Sequence, residues 1–400
     1  MIGEVFVASL AGLITVLFYW GFRTLPAERW QMIASVPLTR IGDGLWRSVN
    51  LTYYGFFSAT GIAFGIALAI VLLGAMRVPL VITFACVAAL IGICVPASRL
   101  VAAFVEKKRD TFTIAGAAFL ATLLIPPAAW LGERALSSKA DYSIHALPLL
   151  AAATISYALA EAIGRLACIS FGCCYGMPLR DASPWLARFF RRYPLTFYGT
   201  TKKAAYASGF EKEPLIPVQA LTSVIFAFSG LVGLGFFLTQ NWKMALIVPA
   251  AGTWGWRAIA ESLRADFRGS SRISAYQVMS LVALSYICGA AAVLPSAGSV
   301  PDLAAGFSQF RSVALVGVLQ AIWVSLFLYY GRSRVTGSVV FFHVKASDAG
   351  TSVELIQQAQ TESIAKPGCL QGARLGGGDL DSATVQPSMT VLRRGWPFAT

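Results

Sequence analysis

Charge is what this 400-residue sequence has least of. Asp, Glu, Lys and Arg together make up 13% of it, about half the share of an ordinary globular chain. A surface so poor in charge cannot keep a chain with 56% hydrophobic residues in water, and the mean hydropathy of +0.66 points the same way. Histidine is nearly absent, with only His145 and His343, and the seven cysteines include no CxxC pair. That pattern argues against a zinc site, and no cofactor or metal is implied. Internal repeats of fixed period are missing too, which removes solenoids and propellers.

Long apolar runs are present instead. Nine segments are long enough to cross a bilayer: Ile2–Trp20, Leu51–Gly74, Val78–Val105, Thr111–Leu131, Ile144–Gly164, Val218–Leu238, Met244–Leu263, Ala275–Leu294 and Ser312–Tyr330. The first lacks a basic leader and a small-residue cleavage site, so it reads as a membrane helix. The expected fold is all-α, a polytopic membrane bundle of about nine helices. A polar stretch from Arg165 to Leu215 separates the fifth segment from the sixth. After Gly331 the composition turns to Gly, Ser, Thr and Gln without periodicity, which predicts a mostly disordered tail with at most a short strand at Ser338–Val344.

The net charge of +13 comes from basic residues in short loops, where anionic lipid headgroups are nearer partners than nucleic acid. Counted by alternate loops, 25 of the 32 Lys and Arg fall on one side and five on the other. By the positive-inside tendency the polar stretch and the tail then lie in the cytoplasm.

Ionisable residues inside membrane segments are the informative ones, since each costs about 2.5–3.5 kcal/mol near the bilayer centre unless it finds a partner. The fifth segment closes Glu161-Ala-Ile-Gly-Arg165, and the seventh contains Arg257-Ala-Ile-Ala-Glu261-Ser-Leu-Arg264. Two arrangements fit these spacings. Glu161 with Arg165, and Arg257 with Glu261, are four apart on one helix face and could neutralise each other within each helix. Alternatively, arginines from two helices could form a forked clamp for a phosphate, a task for which lysine is less suited.

The chain then runs Gly164-Arg165-Leu-Ala-Cys168-Ile-Ser-Phe-Gly172-Cys173-Cys174-Tyr175-Gly176, and later Arg264-Ala-Asp266-Phe-Arg268-Gly269, ending Ser274-Ala-Tyr276-Gln277. These two blocks resemble signatures of the prolipoprotein diacylglyceryl transferases, in a divergent form carrying cysteines. Tyr53-Tyr54-Gly55 and Ser98-Arg99-Leu100 are similar to that family's earlier motifs. The resemblance covers roughly residues 50–296 and implies a seven-helix core at 51–296. Segment 1–50 and helix 297–331 would be additions, and 332–400 a tail.

What the resemblance implies is transfer of a diacylglyceryl group from phosphatidylglycerol to the lipobox cysteine of a preprolipoprotein, the first step of bacterial lipoprotein maturation, at the outer face of the cytoplasmic (inner) membrane. The partners would be phosphatidylglycerol, the signal peptide with its lipobox cysteine, and the bilayer, with no nucleic acid. Arg165, Arg257 and Glu261 would be catalytic. Tyr54, Arg99, Gly176, Arg264 and Gln219 would bind substrate. Cys168 and Cys173 are further candidates. Cys173 could be a nucleophile beside Arg165, or a small residue packing a tight turn, and cysteine-bearing versions of the motif in the family favour packing. The sequence departs from the family at its histidine motif, where Phe112-Thr-Ile-Ala-Gly116 stands instead, so no base for the thiol is evident. A degenerate, non-catalytic homologue that binds anionic phospholipid is the alternative. His145, at the far end of the fifth segment from Arg165, reads as structural.

Overall fold

The computed structural model describes residues 2–29, 31–42, 45–105, 114–136, 145–265 and 273–331, with short stretches between 334 and 385. It is an all-α membrane bundle. The long helices are α1 (Ile2–Thr24), α2 (Tyr53–Ala75), α3 (Leu80–Val105), α4 (Ile114–Leu136) and α5 (Ala146–Phe171). A backbone hairpin of β1 (Met32–Gly42) and β2 (Leu45–Thr52) joins α1 to α2. Beyond α5 come α6 (Pro184–Phe190), β3 (Leu195–Thr196), α7 (Lys203–Ser208) and β4 (Pro214–Leu215). The chain re-enters the bundle as α8 (Val218–Leu238), α9 (Trp242–Ala250), α10 (Trp256–Ala260), α11 (Ala275–Val293), α12 (Leu303–Ser308) and α13 (Val313–Gly331). In the tail, β5 (Arg334–Val335) pairs with β6 (Ser338–Val339), and β7 (His343–Lys345) joins the edge of β2. Of the expected strand at Ser338–Val344, both ends are in strands, and residues 340–342, like most of the tail, lie outside the described residues.

Seven helices among the described residues are long and apolar enough to cross a membrane: α1, α2, α4, α5, α8, α11 and α13. The other two expected spans are not among them. Of α3, the described apolar stretch is Leu80–Ala89, and most side chains beyond it lie outside the described residues. The seventh segment is interrupted: α9 passes through a π-helical turn at Ala251–Gly255 before α10, a device that rotates the side chains beyond it and is frequent at functional positions.

The hub is α5, against which α2, α8 and α9 all pack. Lipid tails provide no hydrophobic drive between helices, so close contact rests on small residues. Gly61 of α2 lies against α5 so tightly that a β-carbon there would stand 2.7 Å from the Ala160 carbonyl oxygen. The outer helices turn apolar side chains outward, including Leu13 and Val16 on α1 and Val318 and Leu328 on α13, as a lipid-facing surface does. On α5, His145 sits at the N-cap and lies 3.2 Å from Glu133 of α4, a helix-to-helix tie far from Arg165.

Two boundaries move in ways that matter. First, α5 continues seven residues past Gly164, because Leu166, Ala167, Ile169 and Phe171 extend its buried face, and it stops where Gly172 adopts the left-handed conformation at φ 71°. Arg165 is therefore six residues inside the helix, roughly 9 Å from its end, and Glu161 roughly 15 Å. Second, the polar stretch is a folded cap with its own small core of Tyr175, Leu195, Phe197, Ala204 and Leu215.

Candidate active site

The three chain segments that leave and enter the membrane at the cap meet as a backbone tie. The Met177 N–H donates to the Leu263 carbonyl at 2.9 Å, the Ala265 N–H to Tyr175 at 3.1 Å, and the Ile216 N–H to Met177 at 3.0 Å. Gly176 lies at the centre of this tie, opposite Arg264. A β-carbon at 176 would fall 2.3 Å from the Ile216 carbonyl oxygen, so only glycine fits. The tie fixes the end of α5 against the end of α10, and with it the side chains one turn or two below.

Arg165 and Arg257 converge there on one carboxylate. Glu161 Oε1 accepts from Arg257 Nη2 at 2.9 Å and from Arg165 Nη2 at 3.3 Å. Tyr157, one turn before Glu161 on the same face, donates its hydroxyl to Glu161 at 3.3 Å and accepts from Arg257 Nη2 at 3.0 Å. The within-helix pairing of Arg257 with Glu261 does not form, because the π-helical turn aims Arg257 at α5 and Glu261 pairs instead with Arg264 at 3.3 Å. Side-chain exposure is 10% for Arg257 and 12% for Glu161, so the cluster is sheltered. It is also incompletely satisfied: Arg165 Nε, Arg257 Nη1 and Glu261 Oε2 are buried without hydrogen-bond partners. Buried donors without acceptors are costly, and here two of them belong to the two arginines.

An apolar cavity of about 110 Å³ opens beside the cluster, between α4, α5, α9 and α11, with Ala118, Thr122, Pro126 and Leu150 in its wall. Tyr157 and Trp254 line it as well, and both reach the charged side: Tyr157 through its hydroxyl, Trp254 through a ring 5.1 Å from the Arg257 guanidinium carbon. One space thus passes from hydrocarbon to cation within a single side chain.

The remaining expected residues are distributed around this pair. Tyr54 packs edge-on to Phe171 at 5.8 Å and against the cysteine cluster. Gln219, 1% exposed, donates to the Cys173 carbonyl at 2.9 Å and leaves its own oxygen without a donor. Cys168 Sγ lies 3.9 Å from Arg165 Nη1. The Cys174 thiol is held well below its ordinary range, first by hydrogen bonds from Cys168 and Cys173, with Arg264 and Arg165 adding to it against the effect of burial. Gln277 closes a capping box with Ser274 and reaches the Ala258 carbonyl at 3.1 Å, tying α11 to α10. Arg99 is on α3, but its side chain is outside the described residues, as are Asp266 and Arg268. Sequence spacing gives no sign of Tyr157 and Trp254, and it offers Glu161 only as a partner for Arg165 on its own helix. The signal for Glu161 was there, since a carboxylate deep in an apolar segment calls for a partner on another helix.

A family model described as prolipoprotein diacylglyceryl transferase matches residues 45–294. No curated protein and no solved structure matches the chain significantly. Helices α1, α12 and α13 lie outside the matched residues.

Proposed function

The chain belongs to the prolipoprotein diacylglyceryl transferase family, and from that premise we propose that it moves a diacylglyceryl group from phosphatidylglycerol to the lipobox cysteine thiol of a preprolipoprotein, at the outer face of a bacterial inner membrane. The observation that carries this reading is the convergence of Arg165 and Arg257, from two helices, on the single carboxylate of Glu161. Arg165 and Arg257 share the one carboxylate of Glu161, so this trio carries one positive charge in excess. A phosphodiester brings one negative charge and acceptor oxygens for the unpartnered Arg165 Nε and Arg257 Nη1. Arginine's fixed fork suits that ligand.

Chemically, the acceptor thiolate attacks the glyceryl carbon that bears the phosphate, and the carbon–oxygen bond breaks as glycerol phosphate departs. Charge grows on the phosphate during that step, and preorganised cations in a sheltered site stabilise it without reorganising. The cavity beside Tyr157 and Trp254 would take acyl chain. Tyr54 and Gln219 would line the headgroup side, Glu261 would accept from a glycerol hydroxyl through its free oxygen, and Arg264 would hold Glu261 in place.

The test is transfer itself. Purified full-length protein in detergent, given labelled phosphatidylglycerol and a lipobox peptide, is expected to label the peptide's cysteine. Arg165→Ala should lower the rate by about 10²–10³-fold, the usual effect of removing one charge-stabilising donor. Binding of phosphatidylglycerol without any transfer would select the non-catalytic lipid-binding alternative.

A further inference from the structure

Three cysteines meet beside the arginines, and phosphate binding gives them no task. Cys168 is on the last turn of α5, and Cys173 and Cys174 follow its cap. Their sulfurs all lie within 4.8 Å of one another. The backbone makes this meeting. The chain leaves α5 at Gly172, the Cys173 N–H returns to the Cys168 carbonyl at 3.2 Å, and Cys174 adopts φ 56°, uncommon for a residue with a β-carbon. Gln219 fixes the turn from α8. Sequence spacing argued against zinc because no CxxC is present; a helix end followed by a left-handed turn achieves the same convergence with other spacing.

We propose that Cys168, Cys173 and Cys174 bind one zinc ion whose open fourth position takes the acceptor thiol of the prolipoprotein. The proposal rests on the transferase reading above. Zinc bound by sulfur at about 2.3 Å in tetrahedral geometry holds its sulfurs roughly 3.8 Å apart, so the three need to close by only about an ångström. An all-sulfur donor set is a soft one, and three protein ligands with one vacant position is the arrangement of catalytic rather than structural zinc. The reaction needs a thiolate, and among the described residues no histidine stands near Arg165. A thiol that coordinates zinc is deprotonated outright.

The step balances. The acceptor thiol releases its proton to water as its sulfur binds zinc. That sulfur's electron pair forms the bond to the glyceryl carbon, and the pair of the breaking carbon–oxygen bond goes to the phosphate. Glycerol phosphate leaves with both negative charges, and the neutral thioether, a weak ligand, dissociates from the metal. Nothing is oxidised or reduced. Arg165, 3.9 Å from Cys168 Sγ and 3.3 Å from Glu161, stands where one guanidinium screens the thiolate from the phosphate.

The experiment uses full-length protein in detergent, stripped with a chelator and loaded with Co²⁺ as a spectroscopic stand-in for zinc. One equivalent should give the visible bands of a tetrahedral thiolate site, and these should shift with a cysteine lipobox peptide but not with its serine counterpart. Cys168→Ser and Cys174→Ser should each weaken Co²⁺ binding by about tenfold or more, a loss at least as large as that of an outer-shell partner. Transfer by stripped protein should fall by at least a similar factor and return with Zn²⁺. Absent thiolate bands, bands indifferent to the peptide thiol, or full transfer by metal-free protein would each overturn the proposal, and the wild-type spectra decide even where a variant fails to fold. A thiol-dependent spectrum without transfer under any condition would instead remove the transferase reading and leave the zinc site standing.

Discussion

At the residue scale the decisive group is Glu161, which holds two arginines from different helices within 3.3 Å of one oxygen. Removing its charge leaves two guanidiniums facing each other in a sheltered site, and breaking such a buried arrangement costs about 3–5 kcal/mol. Glu161→Gln is therefore expected to lower the Tm of the detergent-solubilised protein. Added phosphatidylglycerol should raise the Tm of this variant more than that of the wild type, because a lipid phosphate can replace the lost negative charge. Thermal unfolding with and without lipid checks both parts, and an unchanged Tm would mean that the arginines do not depend on Glu161. The two arginines were legible in the sequence as ionisable residues in apolar segments. Their shared partner was not, because helical spacing offers each arginine a carboxylate on its own helix, and only the π-helical turn before Arg257 decides between the two pairings.

At the scale of elements, a buried lysine locks the cap onto the bundle. Lys202, fully buried, donates from Nζ to the Leu25 carbonyl at the end of α1, at 2.9 Å, and to the Ser170 carbonyl at the end of α5. Burial pushes its ammonium down to about 7 from an ordinary 10.5, with Glu28 opposing. A neutral amine has two hydrogens for these two carbonyls. Between pH 7 and 10.5 the unfolded chain binds a proton there that the folded chain does not, so the contribution of this group to stability improves as pH rises through that window. The slope is at most about 1.36 kcal/mol per pH unit. Between pH 7 and 9, Tm should rise more steeply for wild type than for Lys202→Met, and parallel slopes would contradict this account. The helices of the bundle were readable from apolar runs because membrane spans carry a long, simple signal. The cap was read only as a polar stretch, because its core of Tyr175, Leu195, Phe197, Ala204 and Leu215 is gathered from short elements none of which has a periodic pattern of its own.

At the scale of the whole molecule, the question is which side of the membrane carries the cap. Counting loop charges puts it with 25 of the 32 Lys and Arg, hence inside, whereas an exported acceptor requires it outside. The count weighs surface charge, and two of the eight basic residues from Arg165 to Leu215 are not surface charges. Arg165 is inside α5 and bound to Glu161, and Lys202 is buried. The charge rule also weakens as loops lengthen, and this cap is a folded unit. We therefore expect it on the outer face. Tyr193, 69% exposed on the cap, and Gln240, exposed at the opposite end of α8, mark the two sides. In intact cells whose outer envelope is permeabilised, a membrane-impermeant maleimide should label Tyr193→Cys above the background of the native cysteines and spare Gln240→Cys. The reverse pattern would put the arginine cluster on the cytoplasmic side, out of reach of an exported lipobox cysteine. Prolipoprotein transfer would then fail on topology alone, however well the site bound phosphate.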